Sequence, residues 1–261
     1  MKILMIGDIV GRPGRKAVST LLPGIVEEEK IEFVIANGEN AAGGRGINRE
    51  ITEDFLRMGI EVITMGNHVW DNREIYEFID IQPRIVRPAN YPEDCPGRGY
   101  NIYLGPRGRR IAVINVSGRV FMASLECPFR TVDYILNQIN GQADIILVDF
   151  HAEATSEKEA LAWYLDGRVT GVFGTHTHVQ TADETVLPGG TAYITDVGMT
   201  GPRNSVLGVK THQVIERFLT QRPGYFETAS GAAQLDGVVL EVDDNTFRAI
   251  SLRRIKRLVE A

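Results

Sequence analysis

The sequence predicts an α/β protein from three observations. Short apolar runs rich in Val and Ile alternate with longer helix-like stretches over most of the chain, as expected when strands are layered against helices rather than segregated from them. Five of these runs end in Asp, Glu, Asn or His, and polar groups of an open α/β sheet collect where its strands run into loops. Of the 261 residues, 43% are hydrophobic, which is ample for a full core.

The elements follow in order. KILMIGD predicts a strand ending at Asp8, and Arg15 to Lys30 a helix that Pro23-Gly24 should kink or divide. EFVIANGEN predicts a strand delivering Glu39 and Asn40. Asn48 is placed to cap a helix over Glu50 to Met58, with Gly59 ending it before the strand that leads to Asn67 and His68. Asp71 is placed to open a short helix through Ile79. Gln82 to Gly108 is rich in Pro, Gly, Arg and Tyr without steady periodicity, and Val116 to Arg130 is similarly irregular, so segment 82–130 reads as a small cap or irregular wall over the site. DIILVDFH predicts a strand ending at His151, and Ser156 with Glu159 has capping-box spacing ahead of a helix over Ala160 to Leu165. GVFGTHTH ends at His176 and His178. Strands follow at TAYITD and GVVLEV, the latter turning at Asp243-Asp244-Asn245 into FRAISLRRI as a hairpin. Without repeats, heptads or linker composition, one domain over 1–261 is expected.

Composition narrows the function classes. A net charge of −6 without a Lys/Arg block argues against gripping long nucleic acid by its phosphates, while a small anion held through metal ions is compatible with it. Cys95 and Cys127 lack CxxC spacing, which suits a reducing compartment. The opening apolar stretch is broken at Asp8, too short for a signal peptide, and nowhere do eighteen apolar residues run together. A cytoplasmic protein with no membrane partner is therefore expected, and composition leaves homo-oligomer formation open.

Asp8, Glu39, Asn40, Asn67, His151, His176 and His178 exceed the three or four ligands that one catalytic ion takes from protein, so a dinuclear site is expected. Imidazole, carboxylate and amide oxygen without thiolate suit Fe, Mn, Zn or Co. In extended chain, residues two apart point to one side, so His176 and His178 would both face the ions. Taken singly, each feature has a plainer reading: an Asp or Asn after a strand usually closes a turn, and His-Thr-His is equally one exposed strand face. Their joint occurrence at strand ends favours the metal site. His212 lies outside these motifs and reads as a structural or surface residue. Arg12, Arg45, Arg119 and Arg203 stay unassigned, and TDVGMTGPRNSVLG suits a substrate loop or a plain turn equally. GDIVGRPG does not fit GxGxxG, and no GKS or GKT completes a P-loop, which ranks dinucleotide binding and NTPase activity low.

In order along the chain, GD, NGEN, GNH, a lone His after an apolar strand, and GTHTH resemble the calcineurin-like metallophosphoesterase superfamily. More narrowly, GDIVGRPGR, ANGENAAGGRGI, TMGNHVWD, DFHAEATSEK and GTHTHVQTAD resemble its YmdB-like branch of 2′,3′-cyclic-nucleotide 2′-phosphodiesterases, over Met1 to beyond Gly208. The resemblance implies a four-layer α/β/β/α sandwich of two mixed sheets. It implies one ion on Asp8, Glu39, Asn40 and His178, a second on Glu39, Asn67, His151 and His176, with Glu39 bridging and iron as the metal. It also implies hydrolysis of a small 2′,3′-cyclic nucleotide to the nucleoside 3′-phosphate by metal-hydroxide attack, with His68 as proton donor; an imidazole, with an ordinary pKa of ~6.5, suits that task. Two departures from the wider superfamily bear on the metal. Val10 stands where a D-x-H opening would place His, so one imidazole is missing, and Glu39 replaces the usual bridging aspartate with Asn40 beside it as a substitute oxygen ligand; exchanging nitrogen for oxygen shifts the first site toward harder ions such as Fe or Mn. The same core would serve a broader phosphodiesterase or phosphomonoesterase, or a regulatory metal-binding protein with incidental hydrolysis.

Overall fold

The computed structural model describes residues 1–259 of the chain; Glu260 and Ala261, included in the expected domain, lie outside the described residues. The first half runs β1 (Lys2–Ile6), β2 (Asp8–Ile9), α1 (Gly11–Glu29), β3 (Phe33–Asn37), α2 (Arg49–Arg57), β4 (Val62–Thr64), β5 (Ile85–Val86), β6 (Tyr100–Leu104) and β7 (Arg110–Ser117). The second half runs α3 (Pro128–Gln138), β8 (Ile145–His151), α4 (Thr155–Leu165), β9 (Gly171–Thr175), β10 (Thr185–Val186), β11 (Ala192–Ile194), β12 (Met199–Pro202), α5 (Thr211–Thr220), β13 (Ala233–Val242) and β14 (Ala249–Val259). They form an 8-stranded sheet ordered β2-β12-β13-β1-β3-β4-β5, with β14 also on β13, and a 6-stranded sheet ordered β10-β11-β9-β8-β7-β6. Within the first sheet β1, β3, β4 and β5 are parallel; within the second β7, β8, β9 and β11 are parallel. In the first sheet β13 lies between β12 and β1 and runs antiparallel to both and to β14, and in the second β6 and β10 are antiparallel edge strands, so both sheets are mixed.

Strand parity builds the layers, because successive side chains leave a strand on opposite faces. Leu4 and Ile6 of β1 and Val34 and Ala36 of β3 pack with Val18, Leu22 and Ile25 of α1 and Phe55 of α2. Their neighbours Ile3, Met5, Phe33 and Ile35 point the other way and meet Ile111, Val113, Ile145, Leu147 and Phe173 of the second sheet. The outer face of that sheet, with Ala112, Ile114, Val148 and Phe150, is covered by Val132 and Ile135 of α3 and Leu161 and Leu165 of α4. Three cores thus separate four layers, helix, sheet, sheet, helix, as the sandwich requires. Among the described residues no helix is long and apolar enough to cross a membrane.

Several local expectations differ from the structure. The first helix begins at Gly11 rather than Arg15 and continues unbroken through Pro23. Pro23 and Ser19, the residue whose carbonyl loses its helical partner to the proline, are both exposed, so water can satisfy that carbonyl while Leu22 and Ile25 hold the helix to the sheet. Asn48 caps α2 as expected, accepting the Ile51 N–H at 2.9 Å, and Gly59 follows with φ 95°. The turn after His68 is a short 3-10 helix, Arg73–Glu77, capped by Asn72 rather than Asp71. The fourth helix starts at Thr155, so Ser156 already lies inside its first turn and the capping box does not form. Within the stretch from Gln82 to Gly108 lies β6, pairing antiparallel with β7 at the sheet edge. Helix α3 was not expected; its signal was Pro128 at the first helical position. The C-terminal hairpin forms as expected, from Ala233↔Val259 to Val242↔Ala249. Cys95 and Cys127 are free.

Candidate metal centre

The faces that meet between the sheets are apolar along most of their length and turn polar at the carboxyl ends of the parallel strands. In β8, Ile145 and Leu147 are followed on the same face by Asp149 and His151. In β3, Phe33 and Ile35 are followed by Asn37, and Glu39 lies two residues beyond. Val62 is followed by Thr64 in β4, and Phe173 by Thr175 in β9. Asp8, Asn37, Glu39, Asn40, Thr64, Asp149, His151 and Thr175 are all buried.

All eight expected site residues converge there. His151 Nε2 lies 3.2 Å from Glu39 Oε1, 3.0 Å from Asn67 Oδ1 and 3.0 Å from His176 Nδ1. His178 Nε2 lies 3.2 Å from Asn40 Nδ2 and 3.8 Å from Asp8 Oδ1. The His176 N–H donates to Asp8 Oδ2 at 3.1 Å, and the His68 N–H to Glu39 Oε2 at 3.0 Å. His68 Nδ1 is 2.7 Å from Asn40 Oδ1 and 3.3 Å from Glu39 Oε1. Glu39, His151 and His176 offer ligand atoms within 4.8 Å of one another. The glycine at Gly66 is required by this crowding, since a β-carbon built there would overlap His151 Nε2 and Glu39 Oε2.

Surrounding groups orient the imidazoles. Thr175 Oγ1 donates to Asp149 Oδ1 at 2.7 Å, so it accepts from His151 Nδ1 at 2.9 Å and leaves Nε2 facing the cluster. Asp149 is in turn held by Asn37 Nδ2 at 3.2 Å and by the Thr64 hydroxyl. His178 Nδ1 donates to the Leu207 carbonyl at 3.1 Å, freeing Nε2. His176 Nε2 faces Glu153 Oε2 at 3.0 Å, which turns Nδ1 inward. These outer partners are the kind that fix a metal-binding histidine's tautomer and orientation.

The two histidines of GTHTH reach the cluster by a route different from the expected strand alternation. β9 stops at Thr175, and His176 and His178 have φ of 99° and 64°, conformations uncommon for residues other than glycine. Asp196 holds the loop between them, accepting the Thr177 N–H at 3.0 Å and its hydroxyl at 2.7 Å. Lys158 of α4, itself buried, donates to the same carboxylate oxygen at 2.8 Å.

The electrostatics test whether cations fit. Burial pushes the Asp8 carboxyl up despite His178 and His151 nearby, and its buried Oδ1 has no hydrogen-bond partner. Burial also opposes the charged form of Glu39, but the charge and hydrogen bonds of His151 and His68 hold it well below the usual range. Burial disfavours the imidazolium of His151, yet Glu39, Asp8 and Asp149 raise it to about 9. His176, buried beside that charge, is lowered to about 3. An unpartnered carboxylate oxygen and a proton held between carboxylates mark a site whose donors fit positive ions.

Asn37, Thr64, Asp149, Thr175, Glu153, Lys158 and Asp196 were not singled out from sequence. The first four carry a usable signal, being polar residues inside otherwise apolar strand runs. The run TDVGMTGPRNSVLG reaches the site through the Leu207 carbonyl. His212 is exposed on α5, and Arg12, Arg45, Arg119 and Arg203 are exposed, Arg45 on the wall of a cavity beside His68.

The sequence profile described as YmdB-like protein matches residues 4–255. A Bacillus subtilis (strain 168) protein named 2′,3′-cyclic-nucleotide 2′-phosphodiesterase is 50% identical over 255 residues, 98% of this chain and 96% of its own length. The crystal structure of a hypothetical protein from Thermus thermophilus matches with TM-score 0.93 and 42% identity, covering 100% of both chains. That of a novel phosphatase from Mycoplasma pneumoniae matches with TM-score 0.94 and 34% identity, covering 100% of this chain and 94% of its own.

Proposed function

The chain belongs to the YmdB-like family, and from that membership and the site geometry we propose that residues 1–261 act as one dinuclear-metal phosphodiesterase domain, hydrolysing 2′,3′-cyclic nucleotides to nucleoside 3′-phosphates. The observation that carries the reading is the convergence of carboxylate, amide and imidazole groups from distant strand ends around the unpartnered Asp8 Oδ1. Asp8, Glu39, Asn40 and His178 would hold one ion, and Glu39, Asn67, His151 and His176 the other. The donor set suits Fe, with Mn or Zn as alternatives. When bound, the ions supply Lewis acidity that neutralises charge on the phosphoryl oxygens and lowers the pKa of water.

The protein's own groups complete the reaction. Water adds to phosphorus, the bond from phosphorus to O2′ breaks, and O2′ must take up a proton as it leaves. His68 lies on the cavity wall, and its Nδ1 is engaged by Asn40 Oδ1. Nε2 is then the nitrogen that can carry and give up the proton. Asn40 therefore orients the proton donor and is also among the residues that would hold an ion.

Metal analysis of anaerobically purified protein, paired with assays on 2′,3′-cyclic AMP and on a phosphomonoester, tests the reading. The expected result is two ions per chain and preference for the cyclic diester; faster turnover of the monoester would point to the broader phosphatase. His68→Ala should retain both ions while kcat falls by about 10²–10⁴, and an undiminished kcat would remove His68 from the role.

A further inference from the structure

We propose that the cavity beside the metal centre is a nucleobase platform built on Tyr225 and Phe226, which makes purine nucleotides better substrates than pyrimidine ones. The proposal rests on the phosphodiesterase reading above. The cavity, of about 690 Å³, is bounded on one side by Asn40, His68 and His178 of the reacting centre. Its remaining wall includes Gly43, Arg45, Leu207, Tyr225, Phe226 and Thr228. A phosphate held at the ions with its leaving oxygen at His68 therefore has an open space next to it, within the range typical of ligand sites.

The wall chemistry selects what fills that space. Tyr225 and Phe226 are adjacent and keep 84% and 41% of their surface exposed, although solvent-exposed aromatic rings gain nothing by folding. The chain immediately after them is held in place. The Lys210 N–H donates to the Glu227 carbonyl at 3.0 Å and the Ala229 N–H to the Gly208 carbonyl at 2.9 Å. Thr228 Oγ1 donates to the Gly43 carbonyl at 3.2 Å, tying this segment to the loop that carries Gly43 and Arg45. A β-carbon added at Gly43 would meet nothing within 4 Å, so open space adjoins that residue.

Flat aromatic side chains offered to a cavity that ends at a phosphoryl site match a flat, aromatic group attached to a phosphorylated sugar. Every base has a π-face, so stacking accepts all of them and favours the larger purine ring. Among the wall side chains, Thr228 already spends its hydroxyl proton on Gly43. Stacking area on the two rings thus separates the larger bases from the smaller ones.

The test compares kcat/KM on 2′,3′-cyclic AMP, 2′,3′-cyclic CMP and glycerol 1,2-cyclic phosphate, which has the reacting ring without a base. The wild type should prefer cyclic AMP over both. In the Tyr225→Ala, Phe226→Ala double variant, the preference for cyclic AMP over the glycerol compound should fall about tenfold, through KM, and the AMP-to-CMP ratio should move towards one. Tyr225→Phe should keep both ratios. Ratios retained in the double variant overturn the platform, and a changed oligomeric state on size-exclusion chromatography with retained ratios assigns the rings to contact between copies instead. Should the wild type hydrolyse none of the three, the phosphodiesterase reading fails, and titration with 3′-AMP and inorganic phosphate decides the platform separately. Tighter binding of 3′-AMP that is lost in the double variant supports it; equal binding of the two by the wild type overturns it.

Discussion

Gly66 shows how little space the site leaves. A methyl group there would displace His151 or Glu39, so Gly66→Ala should retain its far-UV circular dichroism while losing metal content and activity; full metal occupancy in that variant would contradict the packing. Thr175→Val keeps the volume but removes the acceptor for His151 Nδ1 and the donor to Asp149. Metal affinity should fall about 10–100-fold, read by competition with a chelator. His151 also gives the metal-free protein a defined pH response. It titrates at 6.5 when unperturbed and at about 9 in the fold, so its protonation contributes stability that is complete below 6.5 and is lost as pH rises through about 9. Metal affinity should rise over the same window, because His151 Nε2, proposed to hold an ion, must first release its proton. Urea midpoints with chelator should therefore fall between pH 6.5 and 9, and a rising midpoint would contradict the assignment. The expected site residues were legible because they follow apolar runs. Glu153 was less so, since its partnership with His176 depends on a contact between separate loops.

Among the elements, the turn after β9 depends most on its neighbours. Two histidines with positive φ are held there by Asp196, and Asp196 by Lys158 from α4. Lys158→Met would leave the buried carboxylate without its counter-charge, a change expected to destabilise the fold by about 3–5 kcal/mol in urea titrations; an unchanged midpoint would show that the pair does not hold the turn. Sequence spacing suggested that His176 and His178 share a side, but the reason proved to be left-handed backbone rather than strand pleating. Pro23 gives a parallel lesson: intrinsic propensity predicted a break, and packing on the buried face of α1 outweighed it. The capping box at Ser156 does not form, because α4 begins one residue earlier, at Thr155 behind Ala154.

At the scale of the molecule, the centre lies where both sheets end, on the layer they share. Ions bound there would favour the folded state, in which the ligands are assembled, over the unfolded chain, in which they are scattered. Chelation should lower the thermal midpoint and metal return should restore it; identical midpoints would argue against a preformed site. By itself the sequence determined the α/β class, the strands that end in polar groups and, through its motifs, the family and its four-layer architecture. Apolar periodicity and turn chemistry are local properties, and motifs survive in linear order. Tertiary structure alone decided which nitrogen of each histidine faces the cluster, which buried residues orient it, and that Tyr225 and Phe226 stand beside it. Those facts depend on contacts between segments far apart in the chain, whose distances no local pattern encodes.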